Sequence, residues 1–181
     1  LERKSILGLR LDKPQIIGVL NITPDSFSDG GLFFEETEAY DQARSMVNSG
    51  ATIIDIGGES TRPGSKTIDA KEEWERIKNT IVKFKKEFPK GILSLDTRKS
   101  YVMTKGIENG VDIINDVSGL NFDKKSFDVI NSNKKPFILH HMQGTPSTMQ
   151  SNPTYEDVIL DIFDFFEERI NFCVKQNYKK E

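Results

Sequence analysis

A single cysteine, Cys173, stands in the 181-residue chain. No internal disulfide can form from it, and a reducing cytoplasm is implied. Long hydrophobic runs are also missing: none approaches the ~18 residues of a membrane span, and no signal peptide is visible at the N-terminus. Nor is there an excess of one charge. The 25 basic residues are spread among 28 acidic ones, for a net charge of −3 and a pI near 5.6, which gives no support for binding nucleic acid. With no low-complexity segment and no interdomain linker, residues 1–181 read as one domain. The first residue is Leu1 rather than Met, and both ends look cut.

What is present is a repeated design, an apolar strand that runs into a polar loop. Ile16 to Leu20 is a continuous apolar run, as expected of a parallel strand covered on both faces. It ends at Asn21, followed by Ile22-Thr23-Pro24-Asp25-Ser26-Phe27-Ser28-Asp29-Gly30-Gly31. Proline, Asp and Ser turn chemistry with two glycines suits a loop that closes over a site, ahead of a helix over Thr37 to Ser49. Thr52 to Ile56 leads likewise into Gly57-Gly58-Glu59-Ser60-Thr61-Arg62-Pro63-Gly64, Leu93 to Asp96 into Thr97-Arg98, Val111 to Asn115 into Asp116-Val117-Ser118-Gly119, and Pro136 to Leu139 into His140-His141.

Helices fill the intervals. Ala70 to Phe88 places Trp74, Ile77, Ile81, Phe84 and Phe88 at helical spacing with Lys and Glu between them, and Pro89 stops it. Tyr155 to Gln176 repeats the pattern with Val158, Ile162, Phe165, Phe166 and Ile170, which read as core. Shorter helices are expected over Ser100 to Glu108 and Phe127 to Asn131. Asn48 to Asp55 and Glu108 to Asn115 echo one another, each a helix end, a glycine cap and an immediate strand. Such β/α units wind into a doubly wound sheet or a (β/α)8 barrel. Polar groups at every strand end favour the barrel, of which 181 residues, against a typical ~250, supply about five units.

Several residues carry two readings at this stage. Asp96 at a strand end suits a helix cap as well as a ligand-facing carboxylate. Asp55 and Glu59 suit hydrogen bonding within their loop better than chemistry. Arg98 and Lys99 read as a solvated loop rather than a phosphate clamp. His140 and His141 are neighbours on one strand, so they point to opposite faces and make a poor metal pair; one faces the interior and the other packs outward.

Asn21 to Gly31 and Asp55 to Gly64 resemble the two signatures of the dihydropteroate synthases. Leu93-Ser94-Leu95-Asp96-Thr97, Asp112-Ile113-Ile114-Asn115-Asp116 and His141-Met142-Gln143-Gly144 resemble the segments that follow, in the family's order. The likeness runs from about Ile16 to Gly144. It implies a pterin-binding TIM barrel that joins 6-hydroxymethyl-7,8-dihydropterin diphosphate to 4-aminobenzoate with Mg2+, releasing pyrophosphate. It also implies a homodimer open to sulfonamide inhibition.

By that resemblance, Asp96 and Asn115 would read the pterin edge, Asn21 would offer its carbonyl oxygen to Mg2+, and Thr61 would contact the diphosphate-bearing substrate. Asp25, Asp96 and Arg62 would act in the chemistry, with Asp25 shielding a cationic pterin, while Phe27 and Pro63 would wall the aminobenzoate. His140 stands where members often carry methionine and would add polarity to the pterin pocket. The family's Asp-Pro-Gly, Ser-Arg-Lys and Arg-x-His segments would lie beyond Glu181, so the isolated chain is expected to be inactive or nearly so. Two other functions remain open at this point. One is a methyltetrahydrofolate-corrinoid methyltransferase, which explains the first two loops poorly. The other is a non-catalytic binding protein on the same fold.

Overall fold

A computed structural model describes residues 5–23, 32–60, 65–145, 148–150 and 152–178, with the backbone alone for 32–36. A hairpin of β1 (Ser5–Ile6) and β2 (Leu9–Arg10) opens it. Its two-residue turn, Leu7 and Gly8, has both φ values positive, at 49° and 81°. This is the turn that suits the twist of a hairpin, but Leu-Gly is a weak signal for it and the sequence pattern did not reveal it.

The alternation then follows as β3 (Ile17–Asn21), α1 (Leu32–Asn48), β4 (Ile53–Gly57), α2 (Ala70–Glu87), β5 (Ile92–Asp96), α3 (Ser100–Glu108), β6 (Ile113–Asp116), α4 (Ser126–Ser132), β7 (Phe137–Leu139) and α5 (Val158–Lys175). Strands β3 to β7 form one parallel sheet in chain order. A doubly wound sheet reverses its order at a switch point. Here every neighbour in sequence is a neighbour in space, which is the winding of a (β/α)8 barrel in its first five β/α units.

Period-two alternation divides the sheet into two faces. Leu20, Ile54, Ile56, Leu93, Leu95 and Ile114 join Trp74, Ile77, Ile81, Phe84, Val102 and Met103 in one buried core between sheet and helices. Each such side chain contributes about 1.5–3 kcal/mol by leaving water. Helix α2 shows how the sequence directs this. Asp69 accepts from the Lys71 amide at its start, Glu72 and Glu73 occupy the first turn, and Lys85 and Lys86 the last. The echoed glycines, Gly50 and Gly110, both close helix ends with positive φ, at 101° and 93°.

Two expectations of burial are corrected. Among the described residues strand β3 has a single neighbour, and Ile16, Ile17 and Val19 are exposed rather than covered on both faces. The aromatics of the last helix are not uniformly core. Phe163 is 62% exposed and Ile159 76%, and only Cys173 of α5 is buried. The helix is anchored at a few points, with Phe172 packed against Phe127 and Phe165 against His141. Helix α1 also begins before Thr37, and α5 begins at Val158, where Asp157 accepts from the Ile159 and Leu160 amides, rather than at Tyr155.

Candidate active site

The face opposite the helices gathers polar side chains toward the C-terminal ends of the strands, and register explains how. Asn21 pairs with Gly57, Gly57 with Asp96, and Asp96 with Asn115, so these four share one rung at the C-terminal ends of adjacent strands. One residue pair earlier on the same face stand Val19, Asp55, Ser94 and Ile113. Gly57 leaves a gap in the rung. A Cβ there would lie 3.3 Å from both Asn21 Oδ1 and Asp96 Cβ, so the missing side chain opens a slot between amide and carboxyl.

Asp96 does not cap the following helix, contrary to one of its two readings. The first amides of α3 are served instead by Thr97 Oγ1, which accepts from Lys99 N, and Asp123 Oδ2, which accepts from Ser100 N. Burial, together with the nearby carboxylates of Asp55, Glu73, Asp116 and Glu59, pushes the Asp96 carboxyl up to about 8. It therefore holds its proton near neutrality.

Asn115 is gripped from both sides. Its Nδ2 donates to Asp55 Oδ2 at 2.9 Å, and its Oδ1 lies 2.6 Å from His140 Nε2. The two histidines face apart as expected, for the His141 ring packs edge-on against Phe165 with centroids 4.9 Å apart. His140 is placed with the help of Gly119, which has a φ of +61°. A Cβ on Gly119 would come within 2.7 Å of the His140 carbonyl oxygen. Gly119→Ala is expected to destabilise the fold by about 1–3 kcal/mol, through the positive φ and this clash. Unfolding in urea measures it, and an unchanged midpoint refutes it.

The second loop is moored at its feet by buried charges. Glu59, 5% exposed, takes Arg98 Nε at 2.9 Å and Lys99 Nζ at 2.8 Å, and its Oε1 accepts from Ile68 N at 3.0 Å. Lys99 Nζ also reaches Glu73 Oε2 at 2.5 Å. Arg98 Nη2 donates to Thr67 Oγ1, and its guanidinium lies 4.0 Å over the Phe122 ring. Ser65 Oγ donates to the Ser60 carbonyl at 2.6 Å, and Arg76 to that of Gly58 at 3.0 Å.

Arg98 and Lys99 are thus neither a solvated loop nor a phosphate clamp, because both cations are buried and paired. Burial pushes the Glu59 carboxyl up, but hydrogen bonds from Lys99, Arg98 and Ile68 outweigh it and leave it below its ordinary range. For Glu73 burial wins over the Lys99 hydrogen bond, and its carboxyl sits above that range.

Of the residues singled out in the sequence, Asn21, Asp96, Asn115 and His140 come together at one end of the sheet. Asp25, Phe27, Thr61, Arg62 and Pro63 lie outside the described residues. Sequence reasoning missed the grip of Asp55 on Asn115, although a carboxylate inside a buried apolar strand was a signal. It also missed Glu73, which looks like one more acid on a charged helix. Asn21 fits a metal only in a limited sense. Among the described residues no cluster of three or more His, Cys, Asp or Glu could hold an ion. A Mg2+ carried by substrate phosphates, however, needs only one or two protein oxygens and keeps water elsewhere, and an amide oxygen at the mouth of the site meets that need.

Set against known proteins, residues 17–181 match the family of pterin binding enzymes. The chain belongs to that family. It is 42% identical over 173 residues to the dihydropteroate synthase of Haemophilus influenzae, covering 96% of this chain and 62% of that one. A crystal structure of a Clostridium difficile dihydropteroate synthase with pteroic acid superposes with a TM-score of 0.85 at 39% identity, covering 93% of this chain and 62% of that one. A Xanthomonas albilineans dihydropteroate synthase with 4-aminobenzoic acid gives 0.84 at 35% identity, covering 95% and 60%. The chain therefore spans about three-fifths of the length of the relatives it matches. Among its described residues no helix is long and apolar enough to cross a membrane.

Proposed function

We propose that the protein of which this pterin-binding unit forms part is a dihydropteroate synthase, joining 6-hydroxymethyl-7,8-dihydropterin diphosphate to 4-aminobenzoate. The observation that carries this is the rung of Asn21, Gly57, Asp96 and Asn115, with His140 against Asn115. It offers a carboxyl and an amide side by side, as a pterin's donor-and-acceptor edge requires. The relatives' names, and the pteroic acid and 4-aminobenzoic acid in their structures, support the same substrates.

In this reading Asp96 and Asn115 orient the pterin ring, and pterin N–H groups stabilise the Asp96 carboxylate as its proton passes to solvent on binding. The C–O bond to the diphosphate breaks with its electron pair going to the leaving oxygen. The amine nitrogen of aminobenzoate attacks the methylene carbon and then loses a proton. Asn21 would hold a substrate-borne Mg2+ through its amide oxygen, and the ion would supply charge stabilisation for the departing pyrophosphate. Thr61 contacts the diphosphate end, Asp25 and Arg62 assist at the developing charges, and Phe27 with Pro63 walls the aminobenzoate. Residues 1–181 form the first part of a single barrel domain, C-terminally incomplete here, in a cytoplasmic homodimer.

The test is turnover of the two substrates with Mg2+ by the chain carrying its natural C-terminal continuation. Product is expected, competition between a sulfonamide and 4-aminobenzoate is expected, and Asp96→Ala is expected to abolish turnover. The 181-residue chain alone is expected to give little or none. No product from the folded, extended protein overturns the proposal.

A further inference from the structure

Two hydrogen bonds around Asn115 determine more than its position. A carboxylate only accepts, so Asp55 Oδ2 must face the Asn115 NH2 group at 2.9 Å. The Asn115 carbonyl oxygen is then the atom 2.6 Å from His140 Nε2. An amide oxygen also only accepts, so Nε2 must carry a proton. The orientation of the amide and the tautomer of the imidazole thus both follow from one buried carboxylate.

Asp55 is itself enclosed by the sheet. It is 6% exposed, sits inside β4 among Ile53, Ile54 and Ile56, and stands beside Ser94 on the neighbouring strand. Its Oδ1 and Ser94 Oγ are buried without a partner among the described residues. Both lie on the pterin-facing side of the sheet, one residue pair below Asp96 and Asn115.

We propose that Asp55 and His140 are positioning residues that lock the Asn115 amide in one orientation, so that the pocket reads a pterin edge in one donor-and-acceptor order. This rests on the pterin reading above. With one N–H bound to Asp55 and one lone pair bound to His140, Asn115 keeps one donor and one acceptor for ligand, and they cannot exchange places. A 2-amino-4-oxo edge then meets complementary groups. Its 4-amino-2-oxo isomer meets donor against donor and acceptor against acceptor, and specificity of this kind comes from the mismatched pairs left unsatisfied. Histidine does here what an apolar side chain at that position cannot, because it adds a second tether.

The experiment uses the protein with its natural C-terminal continuation, labelled with nitrogen-15 at histidine, with His140→Met assigning the signal. At pH 8 His140 is expected as the Nε2–H tautomer. Asp55→Ala is expected to shift it toward a mixture of tautomers, whereas Asp55→Asn, whose amide oxygen still accepts, is expected to retain it. In titrations with 6-hydroxymethylpterin, Asp55→Ala is expected to lose about tenfold or more in affinity. Its preference over the 4-amino-2-oxo isomer is expected to fall by a similar factor, with Asp55→Asn close to the unmutated protein. An Nδ1–H tautomer in the unmutated protein, or a discrimination between isomers that Asp55→Ala leaves unchanged, overturns the proposal. If the unmutated protein binds neither isomer while the tautomer responds to Asp55 as stated, the dihydropteroate reading falls and the lock itself stands.

Discussion

Lys99→Met is expected to destabilise the fold by about 3–5 kcal/mol at neutral pH, the range for breaking a buried ion pair from one side. The substitution nearly preserves side-chain length and removes only the ammonium. That ammonium is 2.8 Å from Glu59 and 2.5 Å from Glu73. Glu59 keeps Arg98 and the Ile68 amide, so its loss is partial. Glu73 is 0% exposed, and its other oxygen already lacks a partner among the described residues. Removing Lys99 therefore leaves a buried carboxylate with no cation, and its proton affinity rises further above the ordinary range.

The sign of the pH dependence follows. Near pH 4 Glu73 is largely protonated in both folded and unfolded states, and the variant loses least. As pH rises the unfolded chain gives up its proton while the folded variant must keep it or bury a bare charge, so the deficit widens toward neutrality. Urea unfolding at pH 4.5 and pH 7.5 is the measurement. At ~2–4 °C per kcal/mol for a chain of this size, melting is expected to fall by about 6–20 °C. A second substitution, Glu73→Gln in the Lys99→Met background, is expected to recover much of the loss. Equal stability of the single variant and the unmutated chain at pH 7.5 would show that the ammonium contributes nothing net. Because Glu59 and Arg98 hold residues on both sides of Thr61 to Gly64, turnover by the extended protein is expected to drop with it.

The architecture was largely legible in the sequence because each strand of the parallel sheet is a short apolar run ending in or just before a polar group, and the two longest helices, α2 and α5, carry their own caps and an apolar stripe. Asp96 and Asn115 were found by position, at strand ends, and register then brought them onto one rung with Asn21. What the sequence did not disclose depends on distance along the chain. Asn115 and Asp55 are 60 residues apart, Lys99 and Glu73 26, Arg98 and Glu59 39. Local periodicity carries no information about such pairs. Arg98 and Lys99 looked solvated because two adjacent cations in a loop usually are; only the fold shows carboxylates from β4's loop and α2 converging on them. Exposure of Phe163 was hidden for a related reason. An apolar stripe specifies that a helix has a face to bury, but not how much surface its neighbours present, and α5 meets its neighbours at a few rings only, Phe172 on Phe127 of α4 and Phe165 on His141.

Asp96→Asn is expected to raise stability and lower function in the same molecule. The unmutated carboxyl titrates at about 8 in the folded chain against an ordinary value of 3.8. Its folded form thus binds a proton that the unfolded chain has released, and stability falls as pH rises from about 4 to 8. Asparagine has no proton to lose, so the two proteins are expected to be alike near pH 4, with the variant ahead above pH 8. The full shift would convert to a larger figure, but the carboxyl is not completely enclosed and the folded chain can relax around a charge there, so the expected gain is about 1–3 kcal/mol.

Affinity moves the other way. A charge-assisted hydrogen bond contributes roughly 1.5–3 kcal/mol, so losing it is expected to weaken pterin binding about ten- to hundredfold. The amide cannot face two ring N–H groups as a carboxylate can. Unfolding curves at pH 4.5 and 8.5, with titration of 6-hydroxymethylpterin into the extended protein, measure both halves. A variant no more stable at pH 8.5 would show that the Asp96 carboxylate is well solvated or paired in the folded chain. A stabilised variant that binds pterin normally would move ligand recognition off Asp96. If both effects appear, the crowding of Asp55, Glu73, Asp116 and Glu59 around Asp96 has a functional meaning. The fold gives up stability to keep an acid in the pocket that a bound pterin can convert to a carboxylate.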